Sequence, residues 1–72
     1  MRAMDRAREQ LNAYGYTLVG VGEIAKGNKK LGVFVSTKGN RQYARTVSGA
    51  LLWSGNDIGV FVAKFWYAER VA

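Results

Sequence analysis

The sequence predicts an α+β domain in which an N-terminal helix packs on one face of a four-stranded antiparallel β-meander. Three observations support this fold class. A Gly-Asn dipeptide occurs three times, within residues 26–29, 38–41 and 54–57. The segments around these dipeptides are rich in Val, Phe, Tyr and Trp, which favour strands. The N-terminal segment instead carries apolar residues at helical spacing.

Residues 2–13 are predicted to form the helix. Apolar residues recur there at steps of three and four, as on one helix face: Met4, Ala7, Leu11 and Tyr14. Gly15 follows at the position where a glycine commonly ends a helix. We expect the apolar stripe of this helix to pack on the sheet, because amphipathicity is first a signal of a buried face.

The Gly-Asn dipeptides predict two-residue hairpin turns. Glycine readily takes the positive φ that the first position of a type II′ turn requires, and this turn suits the twist of the flanking strands. The four strands are expected at about residues 16–25, 30–37, 42–53 and 58–71.

The last of these segments has an alternative interpretation. A helical stripe with Asp57 as its N-cap also fits five apolar residues of this segment: Ile58, Phe61, Val62, Phe65 and Trp66. The order would then be α-β-β-β-α, as in double-stranded-RNA-binding domains, but the lysine-rich start of the final helix that marks those domains is absent here. We predict a strand for residues 58–71, because Val, Phe, Trp and Tyr are dense in it.

Two-residue turns determine the cross-strand neighbours, and alternation then assigns side chains to two faces. We expect one face to form the core beneath the helix, with small residues of the third strand opposite large aromatic residues of the fourth. Its predicted members are Leu18, Ile24, Leu31, Val33, Val35, Ala44, Thr46, Ala50, Leu52, Phe61, Phe65 and Tyr67.

The other face is predicted to combine cations with aromatic rings. Its rows across strands two to four are Phe34–Arg45–Trp66, Ser36–Tyr43–Ala68 and Lys38–Arg41–Arg70. Neighbouring like charges destabilise a sheet unless they are solvated or hold an anion. Cations for phosphates beside π-faces for bases are typical of a surface that binds single-stranded nucleic acid. A solvated face with cation–π pairs is the alternative.

The residues of this predicted binding surface divide into two groups by chemistry. Three aromatic residues are expected to stack on bases: Phe34, Tyr43 and Trp66. Five cations are expected to contact phosphates: Lys38, Arg41, Arg45, Lys64 and Arg70.

Further along the same face the predicted side chains become apolar. They are Val21, Val47, Leu51, Trp53, Ile58, Val60 and Val62. Because the one predicted helix lies on the opposite face, nothing in the chain is expected to cover them. An exposed apolar patch usually marks an interface, so we predict a homodimer.

Length, charge and missing residue types narrow the function. The 72 residues suffice for one small domain. A net charge of +6 favours an anionic partner, with nucleic acid first. The chain contains no Cys and no His, so we expect no enzymatic activity, no metal site and no cofactor. No segment resembles a membrane span or a signal peptide, so we expect a cytoplasmic protein without a membrane partner.

These observations predict a small basic protein that binds nucleic acid through a basic and aromatic sheet face, with single-stranded DNA or RNA favoured. The alternative is a protein-binding module, such as a phage-type inhibitor or assembly subunit, that docks through its apolar sheet face. A steep loss of affinity with salt would distinguish phosphate binding from an apolar protein interface.

Overall fold

The computed structural model describes the backbone of residues 2–71 and the side chains of residues 2–64. It shows an α+β domain with an N-terminal helix, as predicted, but with five strands and a second helix. The elements are α1 Ala3–Asn12, β1 Thr17–Val19, β2 Glu23–Lys26, β3 Lys29–Lys38, β4 Arg41–Thr46, β5 Leu51–Gly55 and α2 Ile58–Val71. The sheet is antiparallel with the strand order β1-β2-β3-β4-β5.

Helix α1 ends as the sequence predicts. Gly15 has a φ of 86°. Its N–H donates to the Asn12 carbonyl at 3.1 Å, and the next N–H, of Tyr16, donates to the Leu11 carbonyl at 3.0 Å. This pair of bonds is the Schellman arrangement, in which a left-handed glycine satisfies the last carbonyls of a helix. Because Tyr16 and Leu11 are both buried, the motif also brings the chain back onto the core.

Two of the three predicted hairpins are confirmed. Lys26 pairs with Lys29 across the first, and Lys38 pairs with Arg41 across the second. Gly27 and Gly39 have φ of 60° and 61°, whereas no non-glycine residue in the described chain has a positive φ. The predicted register of the second hairpin is correct throughout, from Lys38↔Arg41 to Val33↔Thr46.

The third predicted hairpin and the fourth predicted strand are wrong. Gly55 is not among the glycines with positive φ, and the chain enters α2 three residues later. The Asp57 carboxylate accepts hydrogen bonds from the N–H groups of Gly59 at 3.1 Å and Val60 at 3.4 Å, and so caps the helix. The helical interpretation of residues 58–71 is therefore the correct one. Strand propensity is overridden because a helix buries Ile58 and its i+4 neighbour Val62 together.

The first predicted strand, residues 16–25, is a hairpin of two shorter strands. Thr17 pairs with Ala25, and the turn between them contains two glycines with positive φ. One of these, Gly22, has a φ of 102°, and a side chain there would lie 2.8 Å from the Val35 carbonyl oxygen. That position requires glycine, since the backbone of β3 approaches it directly.

The third predicted strand, residues 42–53, is also interrupted. The Gly49 N–H donates to the Thr46 carbonyl at 2.9 Å, and the Ala50 N–H donates to Thr46 Oγ1 at 3.1 Å. This turn lets β5 return along β4, which produces the fifth strand. Ala50 and Leu52, predicted to lie in the core, are exposed as a consequence.

Both helices pack on one face of the sheet and share a single core with it. Its buried members are Ala7, Leu11, Tyr16, Ile24, Val33, Val35, Ala44, Ile58 and Val62. Four of these, on β2, β3 and β4, were predicted for the core: Ile24, Val33, Val35 and Ala44. Ile58 and Val62 were predicted to be exposed, and that prediction is wrong. Within the part of the chain that the structure describes, no helix is long and apolar enough to cross a membrane.

A buried side-chain amide joins the sheet to both helices. Gln42 on β4 is 2% exposed. Its Nε2 donates to Gln10 Oε1 of α1 at 2.7 Å, and its Oε1 accepts from the Ile58 N–H of α2 at 2.8 Å. Gln10 Nε2 in turn donates to the Asn56 carbonyl at 2.9 Å. The start of α2 is thus held to the sheet and to α1 by the same network.

Candidate nucleic-acid interface

Because both helices pack on one side, no described element covers the other face of the sheet, which we call the open face. The register assigns side chains to it by alternation along each strand. Its central members are Lys30, Phe34, Ser36 and Lys38 on β3, Arg41, Tyr43 and Arg45 on β4, and Leu51 and Ser54 on β5. The aromatic residues and most of the cations predicted for β3 and β4 are therefore brought together.

The predicted rows are correct for these two strands. Phe34 pairs with Arg45, Ser36 with Tyr43, and Lys38 with Arg41. The third member of each predicted row is wrong, because residues 58–71 form α2. The strand beside β4 is β5, which places Leu51 next to Arg45 and Ser54 next to Tyr43.

The three remaining residues of the predicted binding surface belong to α2. Lys64 is exposed there, in the helical layer on the other side of the sheet. It lines a cleft of about 480 Å³ whose wall includes the stacked rings of Trp53 and Phe61, 5.2 Å apart. Trp66 and Arg70 also lie in α2, and their side chains are outside the described ones. The open face does not include these three positions.

Arg45 occupies the centre of the open face and is held in place by two neighbours. Its Nη1 donates to Ser36 Oγ at 2.9 Å. The guanidinium carbon lies 5.1 Å from the centre of the Tyr43 ring, within the range of a cation–π contact. Phe34 is directly opposite on β3. A cation and two partly buried rings thus form one compact surface.

A second group of cations lies at the β3–β4 hairpin end of the open face. Lys38 and Arg41 are opposite each other, and both are exposed. Arg41 Nη2 donates to Ser54 Oγ at 3.2 Å. These two cations line a cleft of about 300 Å³ together with Asn40, Gly55 and Asn56. Neighbouring like charges repel, so this end of the face favours an anion.

The acidic residues do not neutralise these cations. Among the side chains of residues 2–64, no carboxylate lies within 4.0 Å of Lys38, Arg41 or Arg45. Glu23 is the one acid of this part of the chain on the open face, and its Oε2 accepts from the Gly32 N–H at 3.3 Å. Asp57 is committed to the cap of α2. The surface around Arg45 therefore keeps its positive charge.

One cation of the open face, Lys30, was missed by the sequence analysis. It pairs with Ala25, whereas Phe34 pairs with Glu23. Because Glu23 and Ala25 lie on the same face of β2, Lys30 shares the open face with Phe34 despite the register shift between the two pairs. The alternation that selected the others could have found it. Gln42 was missed as well, although alternation places it on the same face of β4 as the predicted core residues Ala44 and Thr46.

The residues predicted as an apolar interface do not form one patch. Val21 and Val47 lie in separate turns and are 89% and 79% exposed, and Leu51 on β5 is 54% exposed. Val60 on α2 is also exposed. Trp53 is half-buried against the core, while Ile58 and Val62 are buried within it. The exposed apolar side chains that lie close together are Val47, Leu51 and Leu52, around the β4–β5 connection.

Comparison with protein-family models, with curated proteins and with solved structures gives no match to this chain. Across the described residues, no three Asp or Glu side chains come together as a possible metal site.

Proposed function

We propose that this protein binds single-stranded nucleic acid on the open face of its sheet. The observation that carries the proposal is the position of Arg45. Its guanidinium lies against Tyr43 and opposite Phe34, and no described carboxylate pairs with it. Rings of this kind provide stacking platforms for bases, and a cation among them adds attraction for phosphate.

Several features favour a single strand over a duplex. Phe34 and Tyr43 can stack only on bases that are already unpaired or displaced from their neighbours. The major groove of DNA admits an α-helix or a two-stranded ribbon, whereas the open face belongs to a sheet of five strands. Lys38 and Arg41 continue the face with positive charge, as expected for a groove that follows the phosphate backbone.

The proposal is for a binding protein, with no catalytic step and no cofactor. A nucleic-acid ligand also agrees with the cytoplasmic location expected from the sequence. We expect the affinity to depend little on the base sequence, because every base can stack on a ring and every nucleotide carries a phosphate.

The test is fluorescence anisotropy of labelled oligonucleotides, single-stranded and duplex, across a salt series. We expect single strands to bind more tightly, with an affinity that falls steeply as salt rises. A label on the oligonucleotide is preferable to tryptophan fluorescence, because Trp53 lies on the helical side of the sheet. Undetectable binding of every oligonucleotide at low salt would remove the proposal.

A second candidate is protein docking, with another copy of this chain as the partner. β5 is an edge strand without a charged residue or a proline, the features that normally prevent edges from pairing. Leu51 and Leu52, the first two residues of this strand, are exposed. Antiparallel pairing of two β5 strands would cover them and would join two open faces into one.

Light scattering at high concentration tests this homodimer, with Leu51→Lys as the dissociating variant. A wild-type protein that stays monomeric excludes it.

A further inference from the structure

A cleft of about 390 Å³ separates the start of α1 from the β3–β4 hairpin. Its lining consists of Arg2, Ala3 and Arg6 from the helical side and Gly39, Asn40 and Gln42 from the sheet. It lies outside the open face, and none of the residues in the predicted binding surface lines it.

The two arginines of this cleft carry charge that nothing described neutralises. Arg2 and Arg6 are exposed and four positions apart at the start of α1, where like charges repel each other. Neither has a carboxylate within 4.0 Å among the side chains of residues 2–64. Arg8, on the same helix, is instead paired with Asp5 at 3.1 Å. An anion between Arg2 and Arg6 would relieve their repulsion.

The sheet side of the cleft is polar and firmly held. The Gln42 amide is fixed by its bonds to Gln10 and to the Ile58 N–H. Asn40 is the second residue of the two-residue turn, directly after Gly39, and it is exposed. A small oxyanion that enters the cleft thus meets the guanidinium groups of Arg2 and Arg6 and the exposed side-chain amide of Asn40, all of which can donate hydrogen bonds.

This cleft is continuous with the cationic end of the open face. Asn40 lines both the cleft of Arg2 and Arg6 and the cleft of Lys38 and Arg41. Positive charge therefore extends from the open face, around the tip of the β3–β4 hairpin, to the first turn of α1. A strand that left the open face at Arg41 and followed the hairpin past Asn40 would reach the cleft of Arg2 and Arg6.

We propose that the cleft of Arg2 and Arg6 is a phosphate subsite, which binds a backbone phosphodiester of the strand held on the open face. The inference rests on the proposed function and extends it. The subsite lengthens the strand that the protein contacts and gives that strand a path around the hairpin.

The first experiment compares Arg6→Gln with Arg8→Gln by oligonucleotide anisotropy across a salt series. With a long oligonucleotide, Arg6→Gln should lower the slope of log affinity against log salt by about 0.7, the contribution of one phosphate of a single strand. With an oligonucleotide short enough to fill only the open face, the slope should not change.

Arg8→Gln should leave both slopes unchanged, because Arg8 is already paired with Asp5. Arg6→Lys should keep most of the slope, since it keeps the charge. An unchanged slope in Arg6→Gln with the long oligonucleotide overturns the inference.

The second experiment separates this subsite from the proposed function. Inorganic pyrophosphate is titrated into the whole protein while amide chemical shifts are followed. We expect shifts at Ala3 and Gln42, which line this cleft but not the cleft of Lys38 and Arg41, in the wild type and in Arg8→Gln, and their loss in Arg6→Gln. If the wild type bound no oligonucleotide, the proposed function would fail, and these shifts would still support a phosphate site in the cleft. Absence of both oligonucleotide binding and these shifts would overturn the subsite as well.

Discussion

The side-chain amide of Gln42, near the hairpin end of β4, donates a hydrogen bond of 2.7 Å to the side-chain oxygen of Gln10 on α1. The same Gln42 accepts the Ile58 N–H, one of the groups that the start of a helix leaves without an intrahelical partner. One buried glutamine thus determines how two helices sit on the sheet, and it adjoins both the core and the cleft of Arg2 and Arg6.

Replacing Gln42 with Leu should destabilise the fold by about 1–3 kcal/mol, because the buried Ile58 N–H loses its acceptor. The free energy of unfolding in urea measures this. Gln10→Leu should also destabilise the fold, because Nε2 of the buried Gln42 loses its acceptor. Equal stability of Gln42→Leu and the wild type would show that the network contributes nothing.

Gly39→Val tests the second hairpin. Gly39 has a φ of 61°, which costs a residue with a side chain roughly 1–2 kcal/mol, and more for a β-branched one. We expect the midpoint of urea denaturation to fall by the equivalent of about 1 kcal/mol or more. Asn40→Ala, at the next position of the same turn, should have a smaller effect because that residue does not have a positive φ. Unchanged stability in Gly39→Val would contradict the turn geometry.

Gly59→Ala distinguishes helix propensity from helix packing. In an exposed helix this change stabilises by about 1 kcal/mol. Here the added carbon would overlap the Gln10 carbonyl oxygen and lie 2.8 Å from Cδ2 of Tyr14. We therefore expect a net destabilisation of about 1–3 kcal/mol as α1 and α2 separate. Val60→Ala, at an exposed position of the same helix, is the control. A more stable Gly59→Ala protein would mean that the two helices are not in close contact.

Tyr43→Ala tests stacking on the open face. Loss of one platform should weaken oligonucleotide binding by roughly 1–3 kcal/mol while the salt slope stays nearly constant. Tyr14→Ala is the matched control, because Tyr14 is an exposed tyrosine beside α2 in the helical layer. Anisotropy titrations measure both variants. If the two lost the same affinity, the open face would not be the binding surface.

Arg41→Gln tests phosphate contact at the cationic end of the open face. We expect weaker binding to all sequences and a salt slope lower by about 0.7. Lys64→Gln removes the same charge from α2, on the other side of the sheet, and should change the slope little. A larger effect at Lys64 than at Arg41 would place the nucleic acid on the helical layer instead.

The local features of this fold could be predicted from the sequence. Gly15 ended α1, and the Gly-Asn turns at residues 27–28 and 39–40 formed hairpins, because each depends on the φ of one glycine. The β3–β4 register followed from the second turn and alternation. It correctly placed Phe34 opposite Arg45, and with them the centre of the candidate site.

Other features depend on contacts made only in the folded chain. Residues 58–71 have strand propensity, yet they form a helix because Ile58 and Val62 are buried together against α1 and the sheet. That helix removes Lys64, Trp66 and Arg70 from the rows of the open face. Their exclusion, like the burial of Gln42, depends on contacts between segments distant in the chain. A turn is determined by the conformations of neighbouring residues, whereas the choice between strand and helix here depended on which surface was available to bury the apolar side chains.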